Sequence, residues 1–303
     1  MPAEKLFRWT TAAFAFLVIV LGAAVVYELV ISSGPAFKRF GLGFIVSRDW
    51  DPVQQLFGAL PFIWGTFYTA LLALVLALPL GLGISVFLTE LAPAWLRGPI
   101  GFLIELLAAI PSLVYGLWGL FVLAPLFQNY VQPMLGKYDY IPLFRGYPLG
   151  LGFITAGVIV AVMITPTISS ISREVMLTVP ESQREGALAL GMTRWEVVSK
   201  VIIPYSRSGI LGAVVLGFGR ALGETMAVTM VIGNTPNITV SLFEPGYTIA
   251  SVLANEFAEA TDKLHLSVLV ELGLLLFLVS IIINSFARLL TWRMTRYTRG
   301  ARV

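Results

Sequence analysis

The sequence predicts an all-α integral membrane protein with six transmembrane helices. Its 303 residues are 57% hydrophobic and only 12% charged, whereas a soluble globular domain carries about 25% charged residues. Six apolar runs are long enough to cross a hydrocarbon core of about 30 Å, which takes roughly 20 helical residues. No internal repeat or low-complexity segment divides the chain. We therefore expect a single transmembrane domain over residues 1–303.

The predicted spans follow one another along the chain at residues 10–31, 64–89, 100–128, 149–171, 205–232 and 265–290. Lys5 and Arg8 precede the first span as they would in a signal peptide, but its apolar core is too long for one. We interpret this span as a retained anchor. Prolines within the spans are compatible with a helical bundle, because neighbouring helices can satisfy the backbone groups that a proline leaves free.

Lysine and arginine indicate the orientation of the chain, because cytoplasmic loops of membrane proteins carry an excess of both. With the N-terminus in the cytoplasm, 13 of these residues fall inside, six fall outside, and Arg220 lies within a span. We therefore expect a multi-pass protein of the cytoplasmic (inner) membrane with both termini in the cytoplasm. The polar segment 173–204 then also faces the cytoplasm.

Segment 173–204 is predicted to form two short helices joined by a glycine turn. Two Thr–Glu pairs have the spacing of a capping box, in which a hydroxyl and a carboxylate satisfy free N–H groups at a helix start: Thr178 with Glu181, and Thr193 with Glu196. Gly191 is the residue type that accepts the left-handed conformation just past a helix end. The second helix is expected to end at Pro204.

The same segment resembles the "EAA" loop of bacterial ATP-binding-cassette (ABC) importer permeases. The family pattern is Glu-Ala-Ala, three residues, Gly, nine residues, a branched apolar residue, an intervening residue, then Leu-Pro. Here Glu185-Gly186-Ala187 is followed by Gly191 and, nine residues later, by Val-Ile-Ile-Pro. The resemblance implies the type I importer fold. It also implies that Glu185, Gly186, Ala187 and Gly191 dock a separate ATPase subunit.

The fifth span contains two charged residues, Arg220 and Glu224. Each costs about 2.5–3.5 kcal/mol at the centre of a membrane helix, so both should face protein or water. Their spacing of four puts them on one helical face, which Gly217 continues. Two interpretations are open: an internal ion pair that fixes packing, or a guanidinium beside a polar path, where its planar fork suits an oxyanion.

Two segments resemble the phosphate-specific subgroup of these permeases, namely Ile110–Gly116 (IPSLVYG) and Gly219–Val228 (GRALGETMAV). The resemblance favours the path interpretation over the ion pair. It implies that four residues of the fifth span lie along a path for inorganic phosphate: Gly217, Arg220, Glu224 and Thr225.

The resemblance further implies a transport subunit rather than an enzyme. The chain has no G-x-x-x-x-G-K-[ST] phosphate loop, so a dimer of separate cytoplasmic ATPase subunits would hydrolyse the ATP. A second homologous permease and an extracytoplasmic phosphate-binding protein complete the implied complex. With no cysteine and one histidine, we expect no metal site and no cofactor, and nothing indicates nucleic acid.

Two alternatives stay open. A permease for phosphonate, sulfate or molybdate would carry the same EAA-like loop, since substrate choice in such systems usually rests with the binding protein. An integral-membrane enzyme acting on lipid is a second alternative, but the sequence offers no cysteine and no carboxylate cluster at a membrane surface for it.

Overall fold

A computed structural model describes the backbone of residues 2–299 and the side chains of residues 4–289 and 291. Within this part the chain is helical and has no strand beyond an isolated bridge between Asp51 and Leu56. Six of the described helices are long and apolar enough to cross a membrane, which confirms the predicted fold class. Four arginines that were counted for the orientation lie wholly or partly outside the described residues. The side chains of Arg293, Arg296 and Arg299 are not described, and neither is any part of Arg302.

Twelve helices are numbered here along the described chain. The six candidate membrane helices are α1 (Pro2–Ser32), α4 (Leu60–Leu91), α6 (Ser112–Tyr138), α7 (Phe153–Leu177), α9 (Arg194–Leu222) and α12 (Lys263–Arg299). The shorter ones are α2 (Gly34–Phe40), α3 (Gly43–Val46), α5 (Ala94–Ala109), α8 (Glu181–Ala189), α10 (Met226–Val231) and α11 (Ile249–Glu256).

Backbone contacts divide the chain into two compact units, Met1–Leu60 with Asn255–Leu278 and Pro61–Ala254 with Val279–Val303. The single transmembrane domain of the sequence therefore stays a prediction. In the first unit, the apolar residues of α1 are exposed along its length. The hydroxyl of Ser267 donates to the Ser32 carbonyl at 2.8 Å and accepts from the Ala36 N–H at 3.1 Å, so it joins the α1–α2 turn to α12.

The second unit is built around α7, whose side chains are largely buried. Helix α9 packs along α7, and two glycines of α9 allow the close approach. A Cβ at Gly209 would overlap Val175 Cγ1, and one at Gly217 would lie 2.8 Å from Ile168 Cγ1. Because no side chain fits at these separations, the small residues set the contact between the two helices.

The third predicted span, 100–128, is wrong in its boundaries. Helix α5 ends at Ala109, Ile110 and Pro111 are extended, and α6 starts only at Ser112. The ring of a proline clashes with the preceding residue in the helical conformation, so Pro111 separates what looked like one apolar run into two helices. The membrane-length helix is the later one, Ser112–Tyr138.

Four wide turns of π-helix interrupt the membrane helices of the second unit, at Phe87–Leu91, Gly119–Leu123, Phe127–Val131 and Val198–Ile202. Each ends two residues before a proline, namely Pro93, Pro125, Pro133 and Pro204. Pro93 lies beyond the end of α4, but the other three prolines lie inside their helices. A proline there has no N–H, and its ring collides with the carbonyl four residues earlier. A wider turn relieves that collision, so α9 continues through Pro204 instead of ending there as the sequence predicted.

Candidate functional site

The fifth membrane helix breaks immediately after its arginine. Helix α9 ends at Leu222, Gly223 has φ −93° and ψ 1°, and Thr225 has φ −112° and ψ −67° before α10 begins. The Thr225 hydroxyl donates to the Gly223 carbonyl at 3.1 Å and closes this turn. The continuous span predicted over 205–232 is therefore wrong, and Arg220 and Glu224 do not share a helical face.

Glu224 serves as a cap for the helix that follows the break. Its carboxylate accepts a hydrogen bond from the Ala227 N–H at 3.3 Å, within the first turn of α10. The side chain of Ser112, at the start of α6, interacts with the same carboxylate. Among the described residues no salt bridge joins Arg220 to Glu224. The contact ion pair considered from the sequence is thus absent among these residues, although the Arg220 guanidinium acts on the Glu224 carboxylate at longer range.

Arg220 projects from the last turn of α9 and is exposed within this chain. Its Nη1 donates to the Thr167 hydroxyl at 3.3 Å, one residue past the proline of α7. The guanidinium lies within electrostatic range of buried Tyr115, whose own hydroxyl donates to the Leu107 carbonyl at 2.7 Å. A guanidinium has five N–H donors, so this arrangement leaves donors available to an incoming anion.

The glycines around the Ile110–Gly116 segment bring α6 and α10 together. A Cβ on Gly116 would lie 2.7 Å from Met230 Sδ and 3.1 Å from Ala227 Cα, and one on Gly119 would lie 2.9 Å from Val231 Cγ1. No side chain can occupy such spaces, so the backbones of α6 and α10 approach closely. This packing places the Ser112 side chain beside the Glu224 carboxylate, and it places Tyr115 within electrostatic range of Arg220.

Of the four predicted path residues, three lie at or near the α9–α10 break with exposed surface, and the fourth is buried between helices. Arg220 is exposed, and Glu224 and Thr225 are partly exposed around the α9–α10 break. Gly217 is buried against Ile168 of α7, where it serves helix packing and offers nothing to a ligand. Sequence reasoning missed Thr167, because nothing in the sequence relates a threonine of α7 to an arginine 53 residues later.

Segment 173–204 forms the predicted helix, glycine turn and helix. Gly191 has φ +82°, which confirms its left-handed role, and Thr193 and Glu196 form the predicted capping box at the start of α9. The other predicted box is wrong. Thr178 ends α7, and its hydroxyl donates back to the Val175 carbonyl at 2.7 Å, so it does not cap α8.

The segment is anchored to the membrane helices on one side and exposed on the other. Ala187 is 6% exposed and packs in a cluster with Val86 of α4 and Met176 of α7. Glu185, Gly186 and Gly191 are exposed, and so are three large apolar side chains around them: Leu188, Leu190 and Trp195. Exposed apolar groups on a polar segment are typical of a protein–protein contact.

Helical membrane architecture, a broken helix with a charged residue and an exposed loop between membrane helices are together typical of a membrane transport protein. The family model described as "Binding-protein-dependent transport system inner membrane component" matches residues 77–296. The chain belongs to this family, and its similar curated relatives within the family are PstC permeases.

These relatives cover almost the whole chain. "Phosphate transport system permease protein PstC" of Haemophilus influenzae is 51% identical over 302 residues, which are 98% of this chain and 95% of the relative. The protein of the same name in Pasteurella multocida is 50% identical over 298 residues, with 97% and 93% coverage. "Probable phosphate transport system permease protein PstC" of Methanocaldococcus jannaschii is 37% identical, with 92% and 90% coverage.

Solved structures share the fold at low sequence identity. A chain of the MetNI methionine ABC transporter, in an inward-facing conformation, is 16% identical with a TM-score of 0.61 over 81% of this chain and 99% of that chain. A chain of a bacterial alginate ABC transporter, solved with an alginate pentasaccharide-bound periplasmic protein, is 17% identical with a TM-score of 0.63 over 95% of both chains. The fold is therefore that of ABC importer permeases.

Proposed function

We propose that this chain is a permease subunit that moves inorganic phosphate inward across the cytoplasmic membrane, with energy from ATP hydrolysed by separate subunits. The names of its PstC relatives support phosphate as the substrate. The observation within this chain that carries the proposal is Arg220, an exposed guanidinium in a membrane helix that no carboxylate of the described residues contacts.

The geometry of the α9–α10 break suits a transient oxyanion site. Thr167 holds one end of the Arg220 guanidinium through a hydrogen bond to an uncharged hydroxyl, and among the described residues no carboxylate is in contact with that guanidinium. Glu224 is engaged at the N-terminus of α10, close enough to oppose tight binding of an anion but not to occupy the arginine. A path for transport needs such a balance, because an anion that binds too strongly does not leave.

The proposed complex contains a second homologous permease, a dimer of cytoplasmic ATPase subunits and an extracytoplasmic phosphate-binding protein. The exposed surface of α8, with Glu185 and Gly186, would dock an ATPase subunit; Ala187 supports that surface from inside. The excess of Lys and Arg on one side supports an orientation with both termini and segment 173–204 in the cytoplasm.

A permease for another oxyanion, such as phosphonate, sulfate or molybdate, is the second candidate within the same class. The Arg220 guanidinium would serve any tetrahedral oxyanion, because its N–H groups match two oxygens at once whatever the central atom. The relatives' names favour phosphate over these, and a competition measurement separates them.

The test is ATP-dependent uptake of radiolabelled phosphate into proteoliposomes that contain the full complex. Removal of a charged hydrogen-bonding partner costs about 1.5–3 kcal/mol, so we expect Arg220→Gln to lower uptake by roughly ten- to a hundredfold. The Arg220→Lys variant keeps the charge but loses the planar fork, and we expect intermediate uptake.

Exposed Arg48, which lies in the other unit, provides the matched control, and Arg48→Gln should transport like the wild type. Co-purification of the ATPase with each variant shows whether the complex still assembles. Normal uptake by an assembled Arg220→Gln complex would remove Arg220 from the path. Uptake of sulfate or molybdate in place of phosphate by the wild type would overturn the choice of substrate.

A further inference from the structure

An apolar groove of about 350 Å³ runs along the outside of the second unit, away from the α9–α10 break. Three membrane helices line it: Phe67 and Leu74 of α4, Leu211 and Phe218 of α9, and Ile282 and Phe286 of α12. Thr291 at one end turns its hydroxyl back to the Ala287 carbonyl at 3.1 Å. The lining therefore offers a ligand hydrocarbon and no free polar group of its own.

The length of the groove fits one acyl chain. From Leu211 to Phe218 and from Ile282 to Thr291 it extends about 10–13 Å along the helices, at 1.5 Å per residue. This is close to the thickness of one leaflet, about 15 Å.

Two arginines flank one end of the groove without lining it. Arg207 lies one turn before Leu211 on the same face of α9, where the face continues through Val214, Val215 and Phe218. On α12, Arg288 follows Ala287 and lies three residues before Thr291. Both arginines are exposed. In the orientation proposed above, this end of the groove lies toward the cytoplasmic surface, where anionic lipid headgroups concentrate.

We propose that this groove binds an anionic phospholipid of the cytoplasmic leaflet, with one acyl chain between α4, α9 and α12 and the headgroup phosphate between Arg207 and Arg288. The site rests on the proposed orientation but not on phosphate transport. A lipid chain bound there would contact both α9, which contains Arg220, and α12. The arginines supply the preference for an anionic headgroup, since the groove itself distinguishes no headgroup.

The test is a fluorescence titration of the purified full-length chain, with the subunits that copurify with it, against labelled phosphatidylglycerol and labelled phosphatidylcholine in mixed micelles. We expect tighter binding of phosphatidylglycerol. Arg207→Gln and Arg288→Gln should each weaken it about fivefold, the loss expected for one basic residue near a headgroup, and should leave phosphatidylcholine unchanged.

Two tryptophan substitutions on adjacent residues of α9 isolate the groove itself. Val215→Trp fills the groove, so binding of both lipids should fall about tenfold, the factor that one lost buried side chain gives. Leu216→Trp adds the same bulk on a side of α9 that does not line the groove, and binding should be unchanged. Equal effects of the two tryptophans, or equal affinity for the two lipids, would overturn the site.

A cysteine at position 215 gives an independent measurement, because the chain has no native cysteine. A photoactivatable crosslinker on Val215→Cys should capture labelled phosphatidylglycerol. Capture of another subunit in its place would make the groove a protein interface and overturn the proposal. No step of these titrations involves transport, so their failure leaves phosphate import standing, and failure of phosphate import leaves the lipid site standing.

Discussion

Arg184 of α8 and Glu90 at the end of α4 form an ion pair, with Nη1 and Oε1 at 3.0 Å. The same guanidinium donates through Nη2 to the Met176 carbonyl at 2.8 Å, near the end of α7. One side chain therefore ties the exposed loop helix to two membrane helices. Any force that a partner applies to α8 reaches α4 and α7 through this contact.

Loss of this ion pair should loosen the loop. Both side chains are 16% exposed, so Arg184→Gln leaves a largely buried carboxylate unpaired, at a cost of about 1–3 kcal/mol. The exposed Lys200–Glu196 pair, at 60% and 37% exposure, is the matched control, and Lys200→Gln should leave the free energy of unfolding almost unchanged. Chemical unfolding in detergent, in a double-mutant cycle with Glu90→Gln, measures the coupling. Additive effects of Arg184→Gln and Glu90→Gln would contradict the pairing.

Thr167→Val should impair transport without disturbing the fold, since it removes the hydroxyl that holds Arg220. This hydrogen bond has a charged donor but is long, at 3.3 Å, so we expect the lower end of the range for charged groups, about 1.5 kcal/mol, and a fall of about tenfold in uptake at limiting phosphate. Thr165→Val is the control, because that hydroxyl bonds only within its own helix, to the Ala161 carbonyl at 2.7 Å. The measurement is the concentration dependence of phosphate uptake in proteoliposomes. The same kinetics for both variants would mean that Thr167 does not position Arg220.

Gly217→Ala should destabilise the protein, because its new Cβ would lie 2.8 Å from Ile168 Cγ1. Overpacking of this kind costs about 1–3 kcal/mol. Gly212 lies on the same helix, and a methyl group added there would have no neighbouring atom within 4 Å, so Gly212→Ala should be neutral or stabilise by up to about 1 kcal/mol. The measurement is the midpoint of chemical unfolding of each variant in detergent, which should be lower for Gly217→Ala than for Gly212→Ala. Equal midpoints would show that α7 and α9 adjust without cost.

Gly191→Ala and Gly186→Ala compare two glycines of segment 173–204, which is proposed to dock the ATPase. Gly191 has φ +82°, a conformation that costs an alanine about 1–2 kcal/mol. Gly186 is helical with open space around it, so alanine at this position should stabilise helix α8 by up to about 1 kcal/mol, the difference in helix propensity between glycine and alanine. We expect Gly191→Ala to reduce the amount of ATPase that copurifies and Gly186→Ala to maintain it. A larger loss from Gly186→Ala would indicate that the partner itself requires a glycine at that position.

The sequence predicted the positions of membrane helices correctly where a long apolar run is also one continuous helix, as in α4 and α7. The prediction was wrong where a local break interrupts an apolar run. Pro111 divides a stretch that hydropathy treats as continuous, and Gly223 with Thr225 ends α9 inside another. Hydropathy sums over a window and cannot locate a break that costs only a few hydrogen bonds, which neighbouring helices replace.

For the candidate site, the sequence identified the charged residues but not their partners. Arg220 and Glu224 are conspicuous because charge is expensive in a membrane helix. Their spacing suggested mutual pairing, yet one bonds a threonine of α7 and the other an N–H of α10. Both outcomes depend on how three helices pack. The capping pattern was ambiguous for a similar reason, since Thr178 has a closer carbonyl to bond than the N–H groups of α8.

The π-helical turn at Val198–Ile202 rotates the side chains before it around the axis of α9 relative to those after it. Each residue of an α-helix advances about 100° around the axis, and a π turn holds roughly one residue more than the α turn it replaces. Trp195 and Arg207 lie on the two sides of this turn within α9, so their faces are offset from the positions that an unbroken α-helix would give them. Deletion of a single residue from the turn would keep the helix intact and rotate the surface proposed to dock the ATPase by about 100° relative to the rest of α9.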